Sequence, residues 1–163
     1  MSAKGSSVHF CHTPLGRIVF TLRGDRLVAL NLPGEAEPGA ARPADKGLAA
    51  EVARQLLAWL ADPRFVFDLP LAPAGSGFRL RVWSALQAIP PGEVRTYGEL
   101  ARQLGSSARA VGGACRANPL PLVVPCHRVV SAAGIGGFAG HRAGPALAMK
   151  RRLLAREGVT FPA

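Results

Sequence analysis

The chain has 163 residues, 48% of them hydrophobic, with 20 Lys and Arg against 10 Asp and Glu. That composition suits one domain or two small ones and allows a real core, but no stretch reaches the roughly 18 uninterrupted apolar residues of a membrane span. The net charge of +10 is lopsided: residues 1–75 carry +1 and residues 76–163 carry +9, which favours a polyanionic partner, nucleic acid before membrane.

Met1 to Ser7 is polar, with no apolar stretch like that of a secretory signal. Cysteines at 11, 115 and 126 are an odd count that argues for reduced thiols rather than a disulfide scaffold. The expected location is cytoplasmic. Along the first half, Val8–Cys11, Ile18–Leu22 and Leu27–Leu30 read as short strands, with Gly24-Asp25 as a hairpin turn. Glu35–Lys46, rich in Pro, Gly and Ala, reads as a loop. Leu48, Val52, Leu56 and Leu60 recur at helical spacing and predict an amphipathic helix. His9, Cys11 and His12 lie in one strand, where alternate residues face opposite ways, so all three cannot point at one ion; no metal is expected. Pro70–Gly77 reads as a linker.

In the second half, Phe78, Val82, Leu86 and Ile89 mark a helix stopped by Pro90-Pro91-Gly92. Thr96 to Gly105 predicts a short helix ending in a glycine able to take positive φ. Ser106 or Ser107 then caps a helix running to about Ala117. Ala101, Gly105 and Val111 have the spacing of a helix-turn-helix: a small residue at the crossing, a glycine in the turn, an apolar anchor in the second helix. On that second helix Arg109, Gly112, Gly113 and Arg116 share one face. Two glycines inside a helix cost roughly 1 kcal/mol each against alanine. The bare strip between arginines admits either a close DNA backbone or a close helix–helix contact.

Asn118-Pro119-Leu120-Pro121-Leu122-Val123-Val124-Pro125-Cys126-His127-Arg128 reads as a rigid apolar strand between prolines that delivers one thiol beside one imidazole. A free thiol has a pKa of about 8.5, and a neighbouring imidazole or Arg128 would raise its thiolate fraction. Adjacent residues of an extended chain point apart, so His127 would reach the thiol through a water. Pro125-Cys126-His127-Arg128-Val129-Val130 resembles the active-site signature of the O6-alkylguanine-DNA alkyltransferases. The resemblance runs through Phe78–Trp83, Tyr97–Ala101, Ala108–Ala114, Asn118-Pro119 and Leu153–Gly158, about half the chain in the same order. Phe67–Leu71 also resembles the family's interdomain region.

That resemblance implies a DNA repair enzyme, a methylated-DNA–protein-cysteine S-methyltransferase. It flips O6-alkylguanine out of double-stranded DNA and takes the alkyl group irreversibly onto Cys126, once per molecule, without a cofactor. His127 becomes a water-mediated base held by Glu157, a Cys-His-Glu relative of the activated nucleophile. Asn118 braces the turn and Tyr97 hydrogen-bonds the extruded guanine. Arg109 fills the gap left by the flipped base. Ala110, Gly112, Gly113, Arg116 and Arg128 are expected at the DNA, the second helix lying in the minor groove. Phe138, Ala139 and Gly140 are expected to line the alkylguanine pocket.

The sequence departs from the family between Ser131 and Met149, where relatives reach the residue matching Lys150 about four positions sooner; the family's Tyr-x-Gly-Gly run stands here as Phe138-Ala139-Gly140-His141, followed by Arg142–Pro145. Lys150-Arg151-Arg152 reads as a solvated helix face or a phosphate contact. Other functions remain open at this point: a non-catalytic alkylguanine-recognition protein that signals to excision repair, a helix-turn-helix regulator, or a thiol hydrolase. The expected fold is α/β (α+β): a ribonuclease-H-like unit over residues 1–75 and a mainly helical DNA-binding and catalytic domain over 76–163. The resemblance implies a monomer, with no membrane association.

Overall fold

The structure, a computed structural model, describes residues 5–161. The chain divides into two units, Met1–Ala74 and Gly75–Ala163.

The first unit is α/β. Strands β1 (Ser6–Thr13), β2 (Gly16–Arg23) and β3 (Arg26–Asn31) form an antiparallel meander. Gly24, at φ 59°, and Asp25 turn the second hairpin. The stretch read as a loop, Glu35–Lys46, contains one further strand, β4 (Arg42–Pro43), parallel to β1, which gives a sheet of order β3-β2-β1-β4. A proline fits there because this outer strand has a neighbour on one side only. Helix α1 (Gly47–Ala61) turns Val52, Leu56 and Trp59 inward; they are fully buried, as are Ile18, Phe20 and Leu27 of the sheet. Each such side chain contributes about 1.5–3 kcal/mol. Gln55, buried on α1, donates to the Asp68 carbonyl at 2.9 Å and accepts from the Asp68 N–H at 2.8 Å. The segment read as a linker is held at its start: Leu27 N–H donates to Pro70 O and Ala72 N–H to Leu27 O. Prolines and alanines carry no apolar pattern, so only backbone pairing reveals this.

The second unit begins with α2 (Gly77–Gln87), capped by Ser76, whose hydroxyl accepts from Arg79 N–H. Strand β5 (Arg95–Thr96) leads into α3 (Tyr97–Leu104). Thr96 and Glu99 form a reciprocal capping box, so the helix starts at Tyr97. Gly105, at φ 65°, closes α3 in the left-handed conformation. Ser107 accepts from Ala110 N–H and starts α4 (Ala108–Arg116). Leu100, Ala101, Val111 and Ala114 are buried, and Trp83 Nε1 donates to the Ala114 carbonyl at 2.8 Å, tying α2 to α4. The helix-turn-helix is therefore present as read.

The strand expected before Cys126 is absent. Residues 119–124 form turns, Cys126–Arg128 form a single 3₁₀ turn, and only Val129–Val130 are extended, as β6, paired parallel to β5. Three prolines and alternating bulk look like a strand in sequence, but prolines also remove the N–H donors a ladder needs. Helix α5 (Pro145–Arg156) completes the unit, its first turn preset by Pro145. Among the described residues no helix is long and apolar enough to cross a membrane.

Candidate active site

Asn118 shapes the approach to Cys126. Its Nδ2 donates to the Val124 carbonyl at 2.8 Å, its Oδ1 accepts from Leu120 N–H at 2.9 Å, and Val124 N–H donates to Leu120 O. Inside this brace Leu122 is buried at φ 74°, a conformation that costs a non-glycine residue about 1–2 kcal/mol. The hydrogen bonds and the burial of Leu120 and Leu122 hold it there. Cys126 follows at the start of the 3₁₀ turn, with 8% of its surface exposed. A substrate must therefore be brought down to the thiol.

Behind the thiol lies a buried charge cluster. His127 Nε2 is 2.8 Å from Glu157 Oε2, and both side chains are almost fully shielded from solvent. Arg128 grips the same carboxylate with two N–H groups, Nε at 2.9 Å and Nη2 at 3.0 Å, and donates from Nη1 to the Ile89 carbonyl at 2.7 Å. Burial works to raise the Glu157 carboxyl, but the hydrogen bonds and charges of His127 and Arg128 outweigh it and hold the group at about 2. The carboxylate is thus ionised at neutral pH and accepts only, so His127 Nε2 carries the proton and Nδ1 is the basic nitrogen. Burial pushes the His127 imidazole below its ordinary value, against the opposing pull of Glu157.

Lys150 is fully buried, and its Nζ donates to the carbonyls of Val129 at 2.6 Å and Gly137 at 2.9 Å. It joins the residues just after the Cys126 turn to the loop beyond. Burial pulls its pKa down to about 8, against the opposing influence of Cys126 and Cys115. Gly136, at φ 74°, allows that loop to approach: a Cβ there would lie 3.3 Å from the Tyr97 ring and 3.1 Å from Ser131 N. Phe138 and His141 close a tight turn by exchanging backbone hydrogen bonds at 2.8 and 2.9 Å, with Ala139 (φ 52°) and Gly140 (φ 83°) at its corners.

These elements enclose a cavity of about 970 Å³. Tyr97, Cys126 and the Phe138–Gly140 turn line it on one side, and Arg109, Gly112, Gly113 and Arg116 of α4 on another. The Arg116 stem lies against Gly140, where a Cβ would fall 3.4 Å from its Cδ. Burial first, then Cys115 and Cys126, push the Tyr97 hydroxyl up to about 12, so it stays protonated and able to donate. Cys115 also lines the cavity, and its thiol is pushed up to about 12 by burial and then by Cys126. Cys115 therefore stays a thiol at neutral pH.

Residues 77–159 match the family model described as 6-O-methylguanine DNA methyltransferase, DNA binding domain. The chain belongs to this family. The methylated-DNA–protein-cysteine methyltransferase of Methanosarcina acetivorans is 46% identical over 110 residues, covering 66% of this chain and 68% of that protein. The constitutive enzyme of that name from Bacillus subtilis is 37% identical over 140 residues, covering 80% and 84%. The crystal structure of the Mycobacterium tuberculosis O6-methylguanine methyltransferase superposes with a TM-score of 0.81 at 36% identity, over 98% of this chain and 96% of that one. The M. tuberculosis protein in complex with DNA gives 0.78 at the same identity, over 93% and 92%.

In this methyltransferase-family chain, the expected site residues fall into two groups. Cys126, Tyr97, Phe138, Ala139 and Gly140 meet at the cavity, together with the exposed face of α4. His127 and Glu157 meet behind it, and Asn118 supports the turn between. Arg128 departs from its expected place at the DNA: it is 6% exposed and fully engaged with Glu157 and Ile89. An arginine next to a histidine in a basic half gives no sequence sign that its partner lies 29 residues away. Lys150 departs too, being buried rather than part of a solvated helix face. Its position on α5 beside Leu153 and Leu154, all on the inward side, is the sequence signal that was open to reading. Among the described residues no group of His, Cys, Asp and Glu is arranged to hold a metal ion.

Proposed function

We propose that the protein repairs double-stranded DNA by direct reversal, accepting the alkyl group of a flipped O6-alkylguanine on Cys126 in a single turnover. The observation that carries this reading is the position of Cys126: a shielded thiol at a cavity bounded by a glycine-rich, arginine-flanked helix face, with an ionised Glu157 fixing the tautomer of the adjacent imidazole.

His127 Nδ1 takes the thiol proton through a water, and Glu157 stabilises the imidazolium that forms. Arg128 acts as a positioning residue, holding Glu157 for His127. The thiolate then bonds to the alkyl carbon, the C–O6 bond breaks, and its electron pair leaves with guanine, to which the protonated Tyr97 hydroxyl donates a hydrogen bond. The product is a thioether that none of the neighbouring side chains is placed to hydrolyse, so each molecule acts once. Asn118 keeps the Cys126 turn from relaxing. Phe138 walls the base, and the backbone of Ala139 and Gly140 faces O6.

On α4, Arg109 enters the base stack, while Ala110, Gly112, Gly113 and Arg116 lie along the minor groove. Flipping costs a few kcal/mol, which a side chain filling the vacated stack offsets. Gly113 has no heavy atom within 4 Å of where a Cβ would stand, so the strip is not spent on internal packing there. The protein acts as a monomer, with residues 76–163 carrying DNA binding and chemistry and residues 1–75 a structural role.

The test is intact-protein mass after incubation with a duplex containing one O6-methylguanine, with unmodified DNA and Cys126→Ser as controls. One added methyl on Cys126, absent from both controls, is expected. Tight lesion binding with no added mass would overturn the reading in favour of a recognition protein.

A further inference from the structure

The charge lining the cavity is one-sided. Arg109, Arg116, Arg142, Arg151 and His141 border it, and among its lining residues there is no Asp or Glu. Arg109 and Arg116 belong to the α4 face, and Arg151 Nη1 donates to the Phe161 carbonyl. Arg142 is placed differently. It follows directly on the Phe138–His141 turn, whose two backbone bonds fix the direction of the chain. Its stem passes over the cavity wall: a Cβ on Gly137 would stand 3.6 Å from Arg142 Cγ. The Gly137 carbonyl is itself held by Lys150. The Arg142 charge is felt at the Tyr97 hydroxyl, where it opposes the effect of burial. No carboxylate pairs with Arg142 among the described ion pairs.

A methyl group has no use for a cation at this place. A group ending in a carboxylate does, because Arg142 is exposed at the cavity and can meet an anion there without burying either charge. We propose that Arg142 extends the substrate range to O6-carboxyalkylguanines, its guanidinium pairing with the adduct carboxylate while Cys126 attacks the adjoining methylene. The inference rests on alkyl transfer to Cys126. In the step, sulfur bonds to the methylene carbon, the C–O6 bond breaks, and guanine leaves with the electron pair and takes up a proton. Cys126 is left as S-carboxymethylcysteine.

The alternative anion for Arg142 is a DNA phosphate, and the experiment separates the two. Duplexes of one sequence carrying O6-methyl-, O6-ethyl- or O6-carboxymethylguanine are incubated with the wild type, Arg142→Ala and Arg142→Lys, and the rate of mass gain at Cys126 is followed. Arg142→Ala is expected to slow carboxymethyl transfer about five-fold, the upper scale of one lost ion pair at an exposed side chain, and to leave methyl and ethyl transfer unchanged. Arg142→Lys should recover part of the loss. An equal loss on all three adducts would mean a phosphate contact and overturn the proposal. So would no loss on any, or a wild type that accepts methyl and ethyl but not carboxymethyl. Failure of all three duplexes with the wild type would instead overturn the alkyl-transfer reading itself.

Discussion

Replacing Glu157 by Gln removes one charge and leaves the side chain's size nearly unchanged. The carboxylate accepts four hydrogen bonds, from His127 at 2.8 Å, from Arg128 at 2.9 and 3.0 Å and from the Gly92 backbone N–H at 3.4 Å, in a fully shielded position. A carboxyl whose pKa falls from 4.5 to about 2 on folding contributes about 3 kcal/mol at neutral pH. A second route gives the same size: breaking a buried ion pair from one side costs about 3–5 kcal/mol, because the remaining charge has no partner. At roughly 3 °C per kcal/mol for a chain of this length, the melting temperature at pH 7 should fall by about 10 °C. The sign against pH follows from the lowered pKa. The contribution is complete above 4.5 and is lost as pH falls towards 2, so the gap between wild type and Glu157→Gln should narrow over that interval. Thermal melting at a series of pH values measures it. A gap below about 1 kcal/mol at pH 7, or one that stays constant down to pH 2, would refute the reasoning. Methyl transfer should slow by about 100-fold or more, since the His127 tautomer is no longer enforced.

Lys150→Met should cost about 2–4 kcal/mol by leaving the Val129 and Gly137 carbonyls without their donor, with faster amide exchange in residues 131–141. Because the folded amine releases its proton near pH 8 and the unfolded one near 10.5, the wild type should gain stability between those values and the Met variant should not. Gly113→Ala enters open space on an exposed helix. It should therefore raise the melting temperature by about 2–4 °C while weakening duplex binding, measured by fluorescence anisotropy. The pH profile of methyl transfer should keep its rate at pH 7 and lose it on the acid side only below the ordinary imidazole range, since burial lowers the His127 pKa; an acid limb at or above 6.5 would count against His127 as the base.

The sequence carried the local parts of this architecture well. The Thr96–Glu99 box, the Gly105 turn and the Ser107 cap are each encoded within four residues, so the helix-turn-helix could be read with its boundaries. What stayed hidden depends on separation. The expectation for Arg128 failed because its partners, Ile89 and Glu157, come from distant segments. Cys126 was legible as the reactive residue, yet its 3₁₀ turn was not: the apolar run before it matches a strand in composition, and the Asn118 bridge to Val124 that bends it has no periodic signature. Two backbone pairings, β4 with β1 and Pro70–Ala72 with Leu27, were missed because main-chain bonding leaves no mark on side-chain pattern.

The placement of Glu157 raises a further question, since a carboxylate at a helix C-terminus sits against the negative end of the dipole. It is the C-cap of α5, seven residues after Lys150, two turns along and on the same side. From that one face α5 makes opposite contacts: Lys150 supplies donors to Val129 and Gly137, and Glu157 supplies an acceptor to His127 and Arg128. The Cys126–Arg128 turn, the strand that follows it and the pocket loop are thus anchored to a single rigid element. The dipole penalty, at most about 1 kcal/mol for an end position, is small beside the roughly 3 kcal/mol that the carboxylate contributes. Any change in how α5 is seated should move the imidazole and the pocket wall together. Substitutions at Leu153 or Leu154, fully buried and distant in sequence from Cys126, are therefore expected to slow transfer as well as destabilise the fold.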